Sequence, residues 1–175
     1  MRAIQSVSLG QAAIVEIPDA ELTPDSILVR PTYVANNPCD YIVTDLDGLF
    51  DKDQIIGCDY AGIVEQIGSN VNTSLKPGDR VCGAVAGGIG CDVTKGAFAD
   101  LIPAYGDFCF PIPTDVSDAE AATLGVGLST VAMVLYDNFG FPLPDEDPKF
   151  GEGKTLFIYG GSTATGLLVM QFAQL

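Results

Sequence analysis

Histidine is missing from the entire sequence. Its absence removes the commonest general base, the Ser-His and Cys-His pairs of nucleophilic catalysis, and every metal site built on imidazole. Basic residues are scarce: 8 Lys and Arg stand against 23 Asp and Glu, a formal net charge of −15. With no basic stripe, neither nucleic acid nor an anionic membrane is an expected partner, and the acidity reads first as a solubility feature. Cysteine is sparse and unpatterned. The five cysteines, at 39, 58, 82, 91 and 109, show no C-x-x-C spacing, so neither a disulfide framework nor a zinc ribbon is indicated. Free thiols in a reducing compartment are the expectation. Long apolar runs are also lacking. Residues 121–136 are interrupted by glycine and polar residues and fall short of the roughly 20 needed to span a bilayer. The first ten residues carry no charged-then-apolar signal pattern. The sequence therefore reads as a soluble, cytoplasmic protein.

What is present is an ordinary globular composition, 47% hydrophobic and 18% charged, over 175 residues. That length suits one domain, or one domain and part of another. The first ~115 residues carry short apolar or alternating runs (AIVEI, ILVRPTYV, AGIVEQIG, RVCGAV, AFADLIP) separated by Pro, Gly, Asp and Asn. This predicts a compact β-barrel-like domain over residues 1–120. Ser117-Asp-Ala-Glu120 has capping-box spacing and opens a helical stretch despite Gly125 and Gly127. Residues 141–153, with three prolines and four acidic residues, predict a surface loop. The segment 154–175 then runs from a strand, TLFIY, through a turn of small residues into an apolar helix. Such a unit starts a doubly wound α/β domain, so residues 121–175 predict a linking helix and the incomplete beginning of a dinucleotide-binding domain.

The turn Gly160-Gly161-Ser162-Thr163-Ala164-Thr165 lies where a pyrophosphate would rest. Small residues let phosphate approach the backbone, and N–H groups at the helix start point toward the anion. It departs from a strict G-x-G-x-x-G, with Ser162 and Thr165 at the second and third glycine positions, and a plain tight turn would look much the same.

Several motifs occur in order. They are Asn37-Pro38-Cys39-Asp40-Tyr41, Gly57-Cys-Asp-Tyr-Ala-Gly62 with its following strand to Gly68, and Lys76-Pro-Gly-Asp-Arg-Val81. Gly96-Ala-Phe-Ala99, the stretch from Ala121 to Thr130, and YGGSTATG complete the set. Together they resemble the medium-chain dehydrogenase/reductase superfamily over essentially the whole chain. The N-P-x-D segment and the GGSTAT turn look most like the fungal subgroup of toxD-like proteins and trans-acting enoyl reductases. The resemblance implies a GroES-like barrel domain followed by the start of a Rossmann domain.

The same resemblance allows a residue-by-residue test for the superfamily's catalytic zinc. Its three ligand positions correspond to Asn37, Cys58 and Val126 here. One thiolate does not make a tetrahedral zinc site, so no zinc and no other metal is expected. Cys39 is adjacent to such a position and reads as a small buried residue.

Hydride transfer to an activated C=C fits a site without zinc or imidazole. By resemblance, NADP(H) is the cofactor. Pro38, Cys39, Asp40 and Tyr41 would line the nicotinamide end, Thr130 would sit beside the ring, and Gly160, Gly161, Ser162, Thr163, Ala164 and Thr165 would hold the pyrophosphate. The glycines flanking Val126, Gly125 and Gly127, would leave room for substrate. No catalytic side chain is identified. Tyr41 reads equally as a half-buried packing aromatic. The implied reaction is NADPH-dependent reduction of a 2-enoyl thioester-like substrate, either small or bound to a carrier protein, in secondary metabolism. A quinone or alkenal reductase is the alternative, and a non-catalytic truncated remnant is a third reading. Relatives often carry lysine after the N-P-x-D-aromatic pattern, where this sequence has Ile42, which can neither polarise a thioester nor bind a phosphate.

Overall fold

A computed structural model describes residues 1–46, 52–88 and 95–174. Cys91, expected to be a free thiol, lies outside them. The chain divides into two compact units, Met1–Gly125 and Val126–Leu175.

The first unit is built on antiparallel sheet. Strands β1 (Arg2–Ser8) and β2 (Gln11–Glu16) form a hairpin turned at Gly10, whose φ is 73°. The main sheet uses β3 (Ser26–Ala35), β4 (Asp59–Ile67), β5 (Arg80–Ala84), β6 (Ile102–Tyr105) and β7 (Cys109–Pro111), in the order β6-β3-β4-β5-β7. Isolated bridges Ala3↔Ala99 and Gln5↔Ile55 attach the hairpin to segments flanking that sheet.

Alternation along the central strands decides what each face covers. Tyr60, Val64 and Val81 point into the principal core with Ile27, Val29 and Ile102. Their neighbours Ala61 and Cys82 join a second cluster with Ile112, Ala121 and Ala122. Small side chains on that second face admit the short helix α2 (Asp118–Ala121). Pro31, which has no N–H to donate, sits at a register shift between β3 and β4. The Lys76-Pro-Gly-Asp79 turn leads into β5 with Gly78 at φ 96° and the Asp79 N–H on the Lys76 carbonyl at 3.1 Å. Proline second and a positive-φ glycine third are the signature of a type II turn.

Ser117 caps α2 as its spacing predicts. Its hydroxyl accepts from the Glu120 N–H at 3.3 Å, while the Glu120 carboxylate accepts from the Ser117 N–H at 3.0 Å. The helical stretch expected after it is broken in two, because α2 ends before helix α3 begins (Gly125–Ala132). A π-helical segment, Met133–Asn138, continues from α3. One helix inside the β-rich region was not anticipated: α1 (Pro38–Asp45).

In the second unit, residues 141–153 form turns with mostly exposed side chains, as a surface loop should. Helix α4 (Ala164–Phe172) follows the small-residue turn, with Thr163 as its N-cap. The strand expected at 155–159 is not formed as a paired strand. Its Phe157 and Tyr159 are 85% and 94% exposed, because no described residue supplies a ladder partner to that backbone.

No helix among the described residues is long and apolar enough to cross a membrane.

Candidate functional site

Asn37-Pro38-Cys39-Asp40 is a helix start written in sequence. Asn37 is the N-cap, with extended φ and ψ of −110° and 156°, and Pro38 follows at the first helical position, where its missing N–H costs nothing. The Asp40 carboxylate reaches back to accept from the Asn37 N–H at 2.6 Å. Asn37 turns its side chain elsewhere: Nδ2 donates to Asp59 Oδ2 at 2.9 Å. Asp59 opens β4 and is buried, so this bond joins the start of α1 to the central strand.

Cys58 immediately precedes β4 and is buried, with its carbonyl held by the Val85 N–H at 2.9 Å. Gly57 before it has φ 92°, and a Cβ there would overlap the Phe98 ring. This geometry aims the Cys58 thiol at α1. Its sulfur lies 3.7 Å from that of Cys39, and Asp40 Oδ1 lies 3.8 Å from the Cys39 sulfur. One ligand atom from each of Cys39, Asp40 and Cys58 falls within 4.8 Å of the others.

Burial raises the pKa of all three groups. The Cys58 thiol is pushed far above its ordinary value by desolvation, reinforced by Cys39 and Asp40. Desolvation likewise raises the Cys39 thiol and the Asp40 carboxyl. Tyr41, next along α1, is 56% exposed. Ile42 is half-buried.

The superfamily's zinc positions do not fit zinc in this chain. The Asn37 amide is engaged with Asp59, Val126 offers no ligand atom, and Cys58 alone remains of the three. The structure instead brings Cys39 and Asp40 to Cys58, a grouping that sequence reasoning missed. Cys39 and Cys58 are 19 residues apart, and no local spacing signals their contact.

Gly125 and Gly127 have packing roles. A Cβ on Gly125 would strike the Gly83 carbonyl and Asp59 Oδ1, and one on Gly127 would meet the Leu168 side chain. The room that the sequence suggested for a substrate at these two positions is filled by protein atoms.

In the second unit, the Thr130 hydroxyl donates to the Val126 carbonyl one turn back at 2.7 Å. The turn before α4 suits a closely approaching anion. Gly160 has φ 81°, and a Cβ on Gly166 would run into the Gly160 carbonyl. The Thr163 hydroxyl accepts from the Gly166 N–H at 3.0 Å and donates to the Gly160 carbonyl at 2.9 Å. Ser162, Ala164 and Thr165 complete a backbone with no bulky side chain, and Gly161 has only Met170 near its Cβ position.

The alcohol dehydrogenase GroES-like domain family matches residues 23–114. Trans-enoyl reductase resD of Aspergillus sclerotiorum is 42% identical over 188 residues, covering 100% of this chain and 51% of that protein. Trans-enoyl reductase TOXD of Cochliobolus carbonum is 43% identical over 155 residues, covering 89% and 51%. The chain thus spans about half the length of the curated relatives it matches. Among solved structures, an alcohol dehydrogenase superfamily protein from Novosphingobium aromaticivorans aligns with TM-score 0.79 at 23% identity, covering 99% of this chain and 50% of that one. Escherichia coli quinone oxidoreductase complexed with NADPH aligns with TM-score 0.63 at 24% identity, covering 79% and 41%. These two show the fold. The match over residues 23–114, on a sheet of this order, makes the chain a member of the alcohol dehydrogenase GroES-like domain family within the medium-chain dehydrogenase/reductase superfamily.

Proposed function

We propose that the protein is an NADPH-dependent, zinc-independent reductase of an activated C=C bond, acting on a 2-enoyl thioester carried by a small molecule or a carrier protein. The observation that carries this reading is the 42% identity to a trans-enoyl reductase across the whole of this chain. The turn at 160–165 supports it, since its backbone accommodates a pyrophosphate at the N-terminus of α4.

When bound, the nicotinamide supplies the hydride. The residues of this chain have other tasks. Backbone N–H groups of the 160–165 turn would hold phosphate oxygens, and Gly166 keeps that turn tight against the Gly160 carbonyl. Pro38, Cys39, Asp40 and Tyr41 form the wall at the nicotinamide end. Within that wall Asp40 is buried and Cys39 half-buried, while Tyr41 stands exposed. Thr130 keeps its hydroxyl on its own helix and presents its methyl group. Of the 125–127 stretch, Val126 has the side chain to offer a substrate.

The test is NADPH oxidation, with crotonyl thioester alongside a benzoquinone and a simple alkenal, by a polypeptide that joins this chain to a complete dinucleotide-binding domain, since the 175 residues alone should bind NADPH only feebly. Turnover of the thioester, undiminished after dialysis against a chelator, is the expected result. Loss of activity on chelation would overturn zinc independence. Faster turnover of the quinone would favour a quinone reductase, the second reading, which solved neighbours of that name support.

A further inference from the structure

We propose that Cys39, Cys58 and Asp40 form a binding site for one thiophilic divalent cation of the zinc and cadmium class. The ligand set differs from the superfamily positions 37, 58 and 126, sharing only Cys58, and although Cys39 and Asp40 also stand in the nicotinamide wall proposed above, metal uptake is read without turnover.

Geometry is the first argument. A tetrahedral zinc with Zn–S distances of about 2.3 Å places two sulfurs about 3.8 Å apart. The Cys39 and Cys58 sulfurs stand at 3.7 Å. A carboxylate oxygen on the same ion would lie about 3.5–3.7 Å from each sulfur. Asp40 Oδ1 is 3.8 Å from the Cys39 sulfur, and all three ligand atoms lie within 4.8 Å. A disulfide is a poorer account of the pair, because its sulfurs would have to close to about 2.05 Å and the carboxylate would have no part in it.

Support around the ligands is the second argument. Oriented ligands hold a metal better than free ones. The second oxygen of Asp40 is fixed by the Asn37 N–H at 2.6 Å, which leaves Oδ1 turned to the sulfurs. Cys58 is held through its backbone at Val85, and Cys39 by the first turn of α1. Two sulfurs select a soft d10 ion over magnesium or calcium, which take oxygen ligands. On binding, the two thiol protons leave to solvent, so two thiolates and one carboxylate face a dication. The fourth position opens on the side of Cys39, the half-exposed member, and water fills it.

The test uses the full chain, reduced, stripped with chelator and desalted. Cadmium titrated into it should produce an ultraviolet thiolate-to-metal band that saturates at one ion per chain, and zinc should displace that cadmium. Cys39→Ser and Cys58→Ser should each weaken binding about tenfold or more, and Asp40→Asn by a smaller factor. Cys82→Ser and Cys91→Ser should leave it unchanged. Circular dichroism confirms that each variant is folded. Alkylation of Cys39 in the unaltered protein, slowed by zinc, gives a readout that needs no substitution. A band that never saturates at one equivalent would overturn the proposal, as would full binding by a folded Cys39→Ser variant. So would a mass lower by two hydrogen atoms, with Cys39 and Cys58 oxidised to a disulfide by dissolved oxygen and no ion taken up.

Discussion

Asn37 and Asp59 are joined by a side-chain hydrogen bond of 2.9 Å that links the N-cap of α1 to the first residue of β4. Hydrogen bonds to a charged group contribute about 1.5–3 kcal/mol. Asn37→Ala should therefore lower stability by about 2 kcal/mol in urea unfolding. Asn37→Asp should cost more at neutral pH, because two carboxylates then face each other, and the excess should shrink in acid as one takes a proton. Equal losses for the two variants across pH would mean that Asn37 matters only as a cap.

Asp118 ties α2 to two strands. Its carboxylate accepts from the Thr32 hydroxyl at 2.6 Å and from Arg80 Nε at 2.8 Å. The Thr32 bond, followed by the Arg80 contact, holds the Asp118 carboxyl below the usual carboxylate range. A lowered folded pKa contributes stability above the unfolded value of about 3.9 and loses it as pH falls through the folded value. Asp118→Asn should cost about 1 kcal/mol at pH 7, given the partial exposure of Arg80. The difference from the unaltered protein should shrink as pH falls below the unfolded value and vanish once the folded carboxyl is protonated as well. Acid titrations of unfolding free energy measure both.

Two glycines with similar backbones separate strain from overlap. Gly57 and Gly78 have φ of 92° and 96°, but only Gly57 has protein atoms where a Cβ would go. Gly78→Ala should cost about 1 kcal/mol, the price of a side chain at positive φ. Gly57→Ala should cost clearly more, since the Phe98 ring must also move. Thermal melts of the two variants side by side decide whether the overlap or the dihedral dominates.

The apolar side chains at 157 and 159 stand in solvent within the second unit. Unpaired apolar backbone templates association. A polypeptide of residues 1–125 should stay monomeric in gel filtration at concentrations where the 175-residue polypeptide aggregates. Phe157→Ser with Tyr159→Ser should recover part of that difference.

Local signals carried well from sequence to structure. The Ser117–Glu120 capping box depends on residues a few positions apart, and it forms. Helix α1 was written as plainly, in Asn37, Pro38 and Asp40, but the surrounding β-rich punctuation masked an eight-residue helix. Contacts between distant residues were not legible. Cys39 meets Cys58 only because a positive-φ glycine redirects the chain ahead of β4. The small residues at 125 and 127 fit close packing as well as a binding surface, and sequence alone does not distinguish the two.

The Tyr60 hydroxyl and the Cys109 sulfur lie 2.9 Å apart in the principal core, and burial pushes that thiol up to about 11. The sequence has no tryptophan and only six tyrosines. A thiol against the phenol hydroxyl should quench its emission, so the folded first unit should keep one of the chain's six tyrosines dark. Opening the strands β4 and β7 separates the pair and lights that ring, which gives the barrel a built-in optical gauge of its own integrity without any attached dye.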